Sequence, residues 1–330
     1  MAYTEIDDPS AYFQTALHTG NGGTQSITND GNSDLQPDFV WIKGRSTNSH
    51  HALFDSVRSA TKRLSSSENN AETTESTGLT SFNSDGWSTG AWSGSNSNTQ
   101  TYVSWQWKES TVAGFDIVSY TGNGSNRTIS HSLSAVPSMM IVKNRDAAEE
   151  WTVYHHKNTS APATDYLALN TNGATTDSNT RWNDTAPTSS VFTVGTSGVV
   201  NANGQKFIAY LFSEKKGFSN AFSYSGNGNS NGSYIHLGFR ASFIMVKRTD
   251  SSGDWQLVDN KRLGYNVDNN ALFPNLDNTE DTGDVVDILS NGFKIRSATG
   301  TWNASGGSYI GFAFAEFPFV TSTAIPTTAR

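Results

Sequence analysis

Cysteine is absent from the chain, which excludes a disulfide framework, a thiolate metal site and thiol chemistry. Charge is sparse as well: charged residues make up 16% of the sequence and the formal net charge is −8. No basic cluster exceeds two residues, as at Lys215-Lys216, so the basic face that nucleic-acid binders carry is missing and no nucleic-acid partner is expected. No run approaches the ~20 apolar residues of a membrane-spanning helix, and membrane insertion is not expected. The opening Met1-Ala-Tyr-Thr-Glu-Ile-Asp-Asp8 has neither a basic leader nor an apolar stretch, so no secretory signal is expected. Heptads and collagen-like triplets are missing too, which leaves no segment to form a fibre shaft.

What fills the chain is Gly, Asn, Ser and Thr, together with 12% aromatics that include nine Trp. That aromatic content rules out a disordered chain. Small polar residues suit turns, and aromatic and β-branched residues suit strands, so the composition is that of an all-β protein.

Internal repetition organises the rest. Gly-Asn-Gly occurs at 20–22, 122–124 and 226–228. Each is followed by a run ending in lysine: Asp38-Phe-Val-Trp-Ile-Lys43, Ser138-Met-Met-Ile-Val-Lys143 and Ser242-Phe-Ile-Met-Val-Lys247. Twelve positions beyond each lysine stand Asp55, His155 and Asp259. The closing segments Tyr102–Glu109, Phe207–Glu214 and Tyr309–Glu316 align without a gap. Short apolar runs such as Phe39–Ile42 read as strands covered on both faces. The closing segments alternate, with Tyr102, Ser104 and Gln106 on one face and Val103, Trp105 and Trp107 on the other, which predicts one buried face. Only Leu53–Leu64 offers helical spacing, through Val57, Ala60 and Leu64. We therefore expect three tandem jelly-roll-like or lectin-like β-sandwich units with long polar loops. They span 1–110, with an N-terminal attachment segment, 111–217, and 218–330, ending in a mobile tail.

Tyr120-Thr-Gly-Asn-Gly124, Ile141-Val-Lys143, Pro187–Phe192, Val246-Lys-Arg-Thr-Asp250, Ile288–Phe293 and Ala313-Phe-Ala-Glu316 resemble a family of tandem-repeat virion structural proteins of tailed bacteriophages, notably those infecting marine bacteria. The resemblance extends over nearly the whole chain, including Tyr12-Phe-Gln-Thr15. It implies a particle component assembled in the host cytoplasm and located in the virion, and it brings no established catalytic residues.

Candidate sites follow. The seven histidines form no H-x-x-x-H pair, no nucleophile elbow is present, and the recurring acid at Asp55 and Asp259 fits a folding role better than one half of a carboxylate pair. The chain is therefore expected not to be an enzyme and to need no cofactor. Lys43, Lys143 and Lys247 are expected to pair with Glu109, Glu214 and Glu316 within each unit, as a register device. Trp41, Trp105, Trp107, Trp151 and Trp255 fall in strand patterns and are expected in the core. Trp92, Trp182 and Trp302 sit among small polar residues, where an aromatic can stack on a sugar or anchor a partner. Asp277, Asp281 and Asp284 lie in an oxygen-rich stretch that offers calcium ligands, although its spacing is not that of an EF-hand. The functional expectation is a tail-associated fibre, spike or tip protein that contacts host-surface glycan. The alternative is a capsid decoration protein or head fibre, and a glycan depolymerase is third. Partners would be other virion proteins, with a homo-oligomer open.

Overall fold

The computed structural model describes residues 3–263, 266 and 270–327. The fold is all-β, built of several antiparallel sheets. Three of these are the principal sheets. The first runs Phe13–Thr19, Thr101–Trp107, Phe39–Gly44, Ala52–Asp55 in spatial order. The second runs Phe115–Thr121, Lys206–Phe212, Met139–Asn144, Thr152–His155, and continues into Asp165–Ala168 and Thr176–Asp177. The third runs Ser219–Ser225, Ser308–Pro318, Phe239–Arg248, Gln256–Asp259. Corresponding residues hold corresponding registers. Phe39 faces Trp107, Met139 faces Phe212, and Phe243 faces Phe314.

Strand alternation gives each principal sheet two faces, and both are covered. One face carries Trp41, Trp105 and Trp107 in the first sheet, Ile141, Tyr210 and Phe212 in the second, and Met245, Phe312 and Phe314 in the third. These side chains belong to one continuous core. Ring contacts cross between sheets: Phe39 stacks on Tyr210 at 4.4 Å, and Trp107 meets Phe314 edge-on at 5.7 Å. The opposite face of each sheet packs on a smaller sheet. Val40, Ile42 and Tyr102 meet Ile27 and Trp87, while Val142, Phe207 and Leu211 meet Ile129, Phe192 and Val194.

The structure corrects two local expectations. The alternating segment Tyr102–Trp107 is buried on both faces, because Ser104 accepts from Trp87 Nε1 at 3.2 Å and Gln106 donates to Asn29 at 2.7 Å beneath the small sheet. Leu53–Leu64 is no helix: a strand ends at Asp55, and Ser59 and Thr61 then take φ of 77° and 69°, a left-handed conformation that breaks a right-handed helix.

The first and last described segments are tied down. Tyr3 Oη donates to Gly238 O at 2.6 Å, and Ile6 is buried in the common core. The expected attachment segment thus docks on its own chain as far as it is described, from Tyr3 onward. The expected mobile tail is, up to Thr327, a turn whose Ser322 N–H donates to Asp7 at 2.6 Å; residues 328–330 lie outside the described residues.

Candidate functional site

Each principal sheet meets the next through the segment after its fourth strand. At the first junction Asp55, fully buried, accepts from Arg58 and from Tyr210 Oη of the second sheet at 2.6 Å. Arg58 also reaches Glu72 at 3.1 Å, and Glu72 takes a bidentate pair of 2.9 Å bonds from Arg145. The third junction repeats this chemistry against the first sheet. Asp259 accepts from Arg262 at 2.7 Å and from Trp105 Nε1 at 3.0 Å, and Glu280 bridges Arg262 and Arg45. The second junction substitutes neutral groups. His155 donates from Nε2 to Gly311 O at 3.1 Å, and Asn158 accepts from Thr175, whose amide donates to Thr249 O. Burial holds His155 far below the ordinary imidazole range, at about 3.

A second bond crosses every junction. Trp151 Nε1 donates to Ser65 O at 2.7 Å, Trp255 Nε1 to Ala168 O at 2.9 Å, and His51 Nε2 to Phe273 O at 2.9 Å. The carbonyl partner puts the His51 proton on Nε2, which leaves Nδ1 to accept from Trp41 Nε1 at 2.7 Å. All five tryptophans expected in the core, Trp41, Trp105, Trp107, Trp151 and Trp255, are at most 2% exposed.

The lysine–glutamate pairing is overturned. Lys43, Lys143 and Lys247 are 0% exposed and donate to backbone carbonyls. Lys43 takes Gly44 O at 2.8 Å and Asp277 O at 3.2 Å; Lys143 takes Asn144 O and Ala147 O; Lys247 takes Arg248 O and Asn172 O. The antiparallel register explains the failure. Lys43, Lys143 and Lys247 lie opposite Val103, Ile208 and Ile310, six residues along the strand from Glu109, Glu214 and Glu316. The glutamates serve the other end. Glu109 accepts from Ile117 N–H and Glu214 from Ala221 N–H, in the next sheet in each case, while Glu316 meets Arg240.

Glu109 sits beside Asp116 and Asp38, and its carboxyl is pushed up to about 7 by burial first and then by its hydrogen bond with Asp116. A raised folded-state pKa contributes stability that is fully present below the unfolded value near 4.3 and is lost as pH rises through 7. Glu109→Gln keeps a donor toward Asp116 at every pH. Urea midpoints for this variant should match the parent near pH 4 and exceed it by pH 8; a parent equally stable at pH 8 would refute the shared proton.

The loop tryptophans are not a sugar platform. Trp182 and Trp302 are each 1% exposed, with Nε1 donating to Asp165 O and to Gln256 Oε1. Trp92 is half-buried between Phe54, edge-on at 6.4 Å, and the Arg63 guanidinium. Trp182 and Trp302 are turned inward by single helical turns, and Trp92 caps the start of another. Nor do Asp277, Asp281 and Asp284 converge. Among the described residues no group of three or more metal-ligating side chains forms, and the Asp277 carbonyl takes Lys43 and Ser49 N–H.

Sequence reasoning missed the residues that explain the Gly-Asn-Gly repeats. Asn96, Asn201 and Asn303 are 0% exposed. Each accepts from the amide of the central Asn of one repeat, Asn21, Asn123 or Asn227, at 2.8–3.0 Å. Each also donates to carbonyls on both sides, as Asn201 does to Ser125 O and Gly195 O. The first glycine must be bare, since a Cβ on Gly122 would lie 2.2 Å from Ala202 O, and the second takes φ of +73° at Gly124. Asn201→Ala removes the partner of the buried Gly195 O, at ~1–3 kcal/mol, and those of the part-buried Ser125 O and Asn123 N–H. Thermal unfolding should therefore lose at least about 2 kcal/mol; a loss under about 0.5 kcal/mol would mean water replaces the amide.

The third junction also holds a cleft. It lies between the first and third sheets, has a volume of about 210 Å³ and is lined by Asp8, Thr15, Ser242, Asn260, Glu316 and Phe317 among others. Lys261 bridges its rim to Asp30 at 2.7 Å.

Residues 8–318 match a family model described as "Domain of unknown function (DUF7483)". The chain belongs to this family. No curated protein matches the sequence. The family match covers all three principal sheets and all three junctions in one span.

Proposed function

We propose that the chain is a non-catalytic bacteriophage virion component in which three copies of one β unit imitate a trimer. In this reading each unit pairs a principal sheet with a small one, at 1–110, 111–217 and 218–330. The three units also share an inner core. The observation that carries the proposal is the cyclic order of the junctions: Trp151 to Ser65 O, Trp255 to Ala168 O, and His51 to Phe273 O. Each bond runs from one unit to the unit before it, and the third returns to the start, so the head-to-tail contact closes as a ring. A closed ring with its aromatics turned inward is a rigid display body. Its outward groups are polar loops such as those around Asn21, Asn123 and Asn227, which are exposed.

The resemblance to tandem-repeat virion proteins supports a place on the particle, and we favour a tail-associated position where those loops meet host-surface glycan. The threefold-like ring favours a second reading, decoration of a threefold capsid position. Purified protein would be offered to host envelope polysaccharide and to emptied phage heads. Retention on polysaccharide alone is the expected result. Tight binding to heads alone would overturn the tail position, and binding to neither would overturn the virion reading.

A further inference from the structure

We propose that the cleft at the third junction takes a single ring of a neutral saccharide; this rests on the glycan-contact reading and supplies it with a site. The first two junctions are crossed by the chain itself, from Glu109 into Phe115 and from Glu214 into Ser219. No such crossing joins the third sheet to the first, and the cleft opens there.

Two buried polar atoms among its lining residues have no hydrogen-bond partner: Thr15 Oγ1, on a residue 4% exposed, and Asn260 Oδ1. A buried polar group left without a partner is costly, so an occupant that hydrogen-bonds there is favoured. The chemistry of the walls narrows the occupant. Asp8 repels an anion, since the lining cation Lys261 is taken by Asp30 and Glu316 is engaged by Arg240, while an apolar ligand would strand Asp8 and Ser242. A cation would need converging carboxylates, but Asp8 accepts from Ser10 and Ser33, and Asp30 is held by Lys261. A polyol offers hydroxyls that donate to carboxylates and to Asn260 Oδ1 and accept from Thr15. Its C–H face suits the apolar surface of Phe317. The volume of about 210 Å³ is below the ~300–1,000 Å³ of drug-sized pockets and suits one ring.

The test uses the full-length protein and the methyl glycosides of glucose, galactose, mannose and N-acetylglucosamine, followed by saturation-transfer NMR and calorimetry. We expect at least one glycoside to saturate, with affinity falling tenfold or more in both Thr15→Val and Asn260→Ala, and with thermal unfolding of Thr15→Val no lower than the parent. No saturation by any glycoside would overturn the site, leaving ordered water as its content; so would affinity unchanged in both variants. Retention on envelope polysaccharide is scored separately. Parent and variants retained alike would sink this site and spare the glycan reading, whereas glycoside binding without polysaccharide retention would do the reverse.

Discussion

Asp55→Ala should destabilise the protein by about 3 kcal/mol, because it strips one of two carboxylates from a buried guanidinium and leaves it Glu72 alone. The Arg58 side chain is 0% exposed, and Asp55 also holds Tyr210 of the neighbouring sheet. Since folded proteins hold only ~5–15 kcal/mol in total, this is a large share. Asp259→Ala removes the matching acid beside Arg262 and Trp105 and should cost about as much. His155→Ala loses a bond between neutral groups, so about 1 kcal/mol is expected apart from its packing. The double change Asp55→Ala with Arg58→Met should recover part of the loss, since no charge is then stranded. Urea unfolding with m-values compared across the series gives the answer. A cost for Asp55→Ala under about 1 kcal/mol would show that water reaches the guanidinium.

Stability should climb between pH 8 and pH 10, a range in which most proteins lose it. Lys43, Lys143 and Lys247 are each held down to about 8, by burial above all, with nearby charges secondary. An unfolded lysine titrates near 10.4, so between the two values the unfolded chain binds protons that the folded one has released, and stability rises with pH. Below pH 8 the ammonium is present in both states and the slope vanishes. At 1.36 kcal/mol per unit, each lysine contributes at most about 3 kcal/mol across the window. Above pH 10 the sign reverses. Burial pushes Tyr154 up to about 12 and raises Tyr120, Tyr210 and Tyr224, so unfolding frees phenols to ionise. Urea midpoints measured at fixed salt from pH 7 to 11 should pass through a maximum near 10. Lys143→Met should flatten the ascending limb by about a third, and a parent whose midpoint falls steadily from pH 8 would show the lysines reaching solvent.

Much of this arrangement was legible in the sequence, and the residues explain why some was not. The landmarks Gly-Asn-Gly, the lysine-ended strand and the aromatic closing segment recur with the registers of the three principal sheets. Asp55-x-x-Arg58 and Asp259-x-x-Arg262 also stood in the sequence, and the spacing marks one-turn ion pairs. Register was the blind spot for the lysines: antiparallel pairing sends Lys43 and Glu109 to opposite ends of neighbouring strands. Burial was another, since fully buried lysine is rare and its carbonyl partners lie in turns, or on another sheet's segment, that a linear pattern does not align. Trp182 and Trp302 were misplaced because polar neighbours in sequence are not neighbours in space. Each lies in a single helical turn that buries it together with one neighbour, Arg181 or Asn303.

The second junction, where His155 and Asn158 stand in place of an acid and an arginine, has a meaning for how such a body can change. In an assembly of identical subunits every substitution is imposed at all positions around the axis at once. One continuous chain lifts that constraint, so a single side can be softened or given a new task while the others keep the charged latch. On this account divergence would gather on one flank, and the cleft between the first and third sheets is where it has the most room.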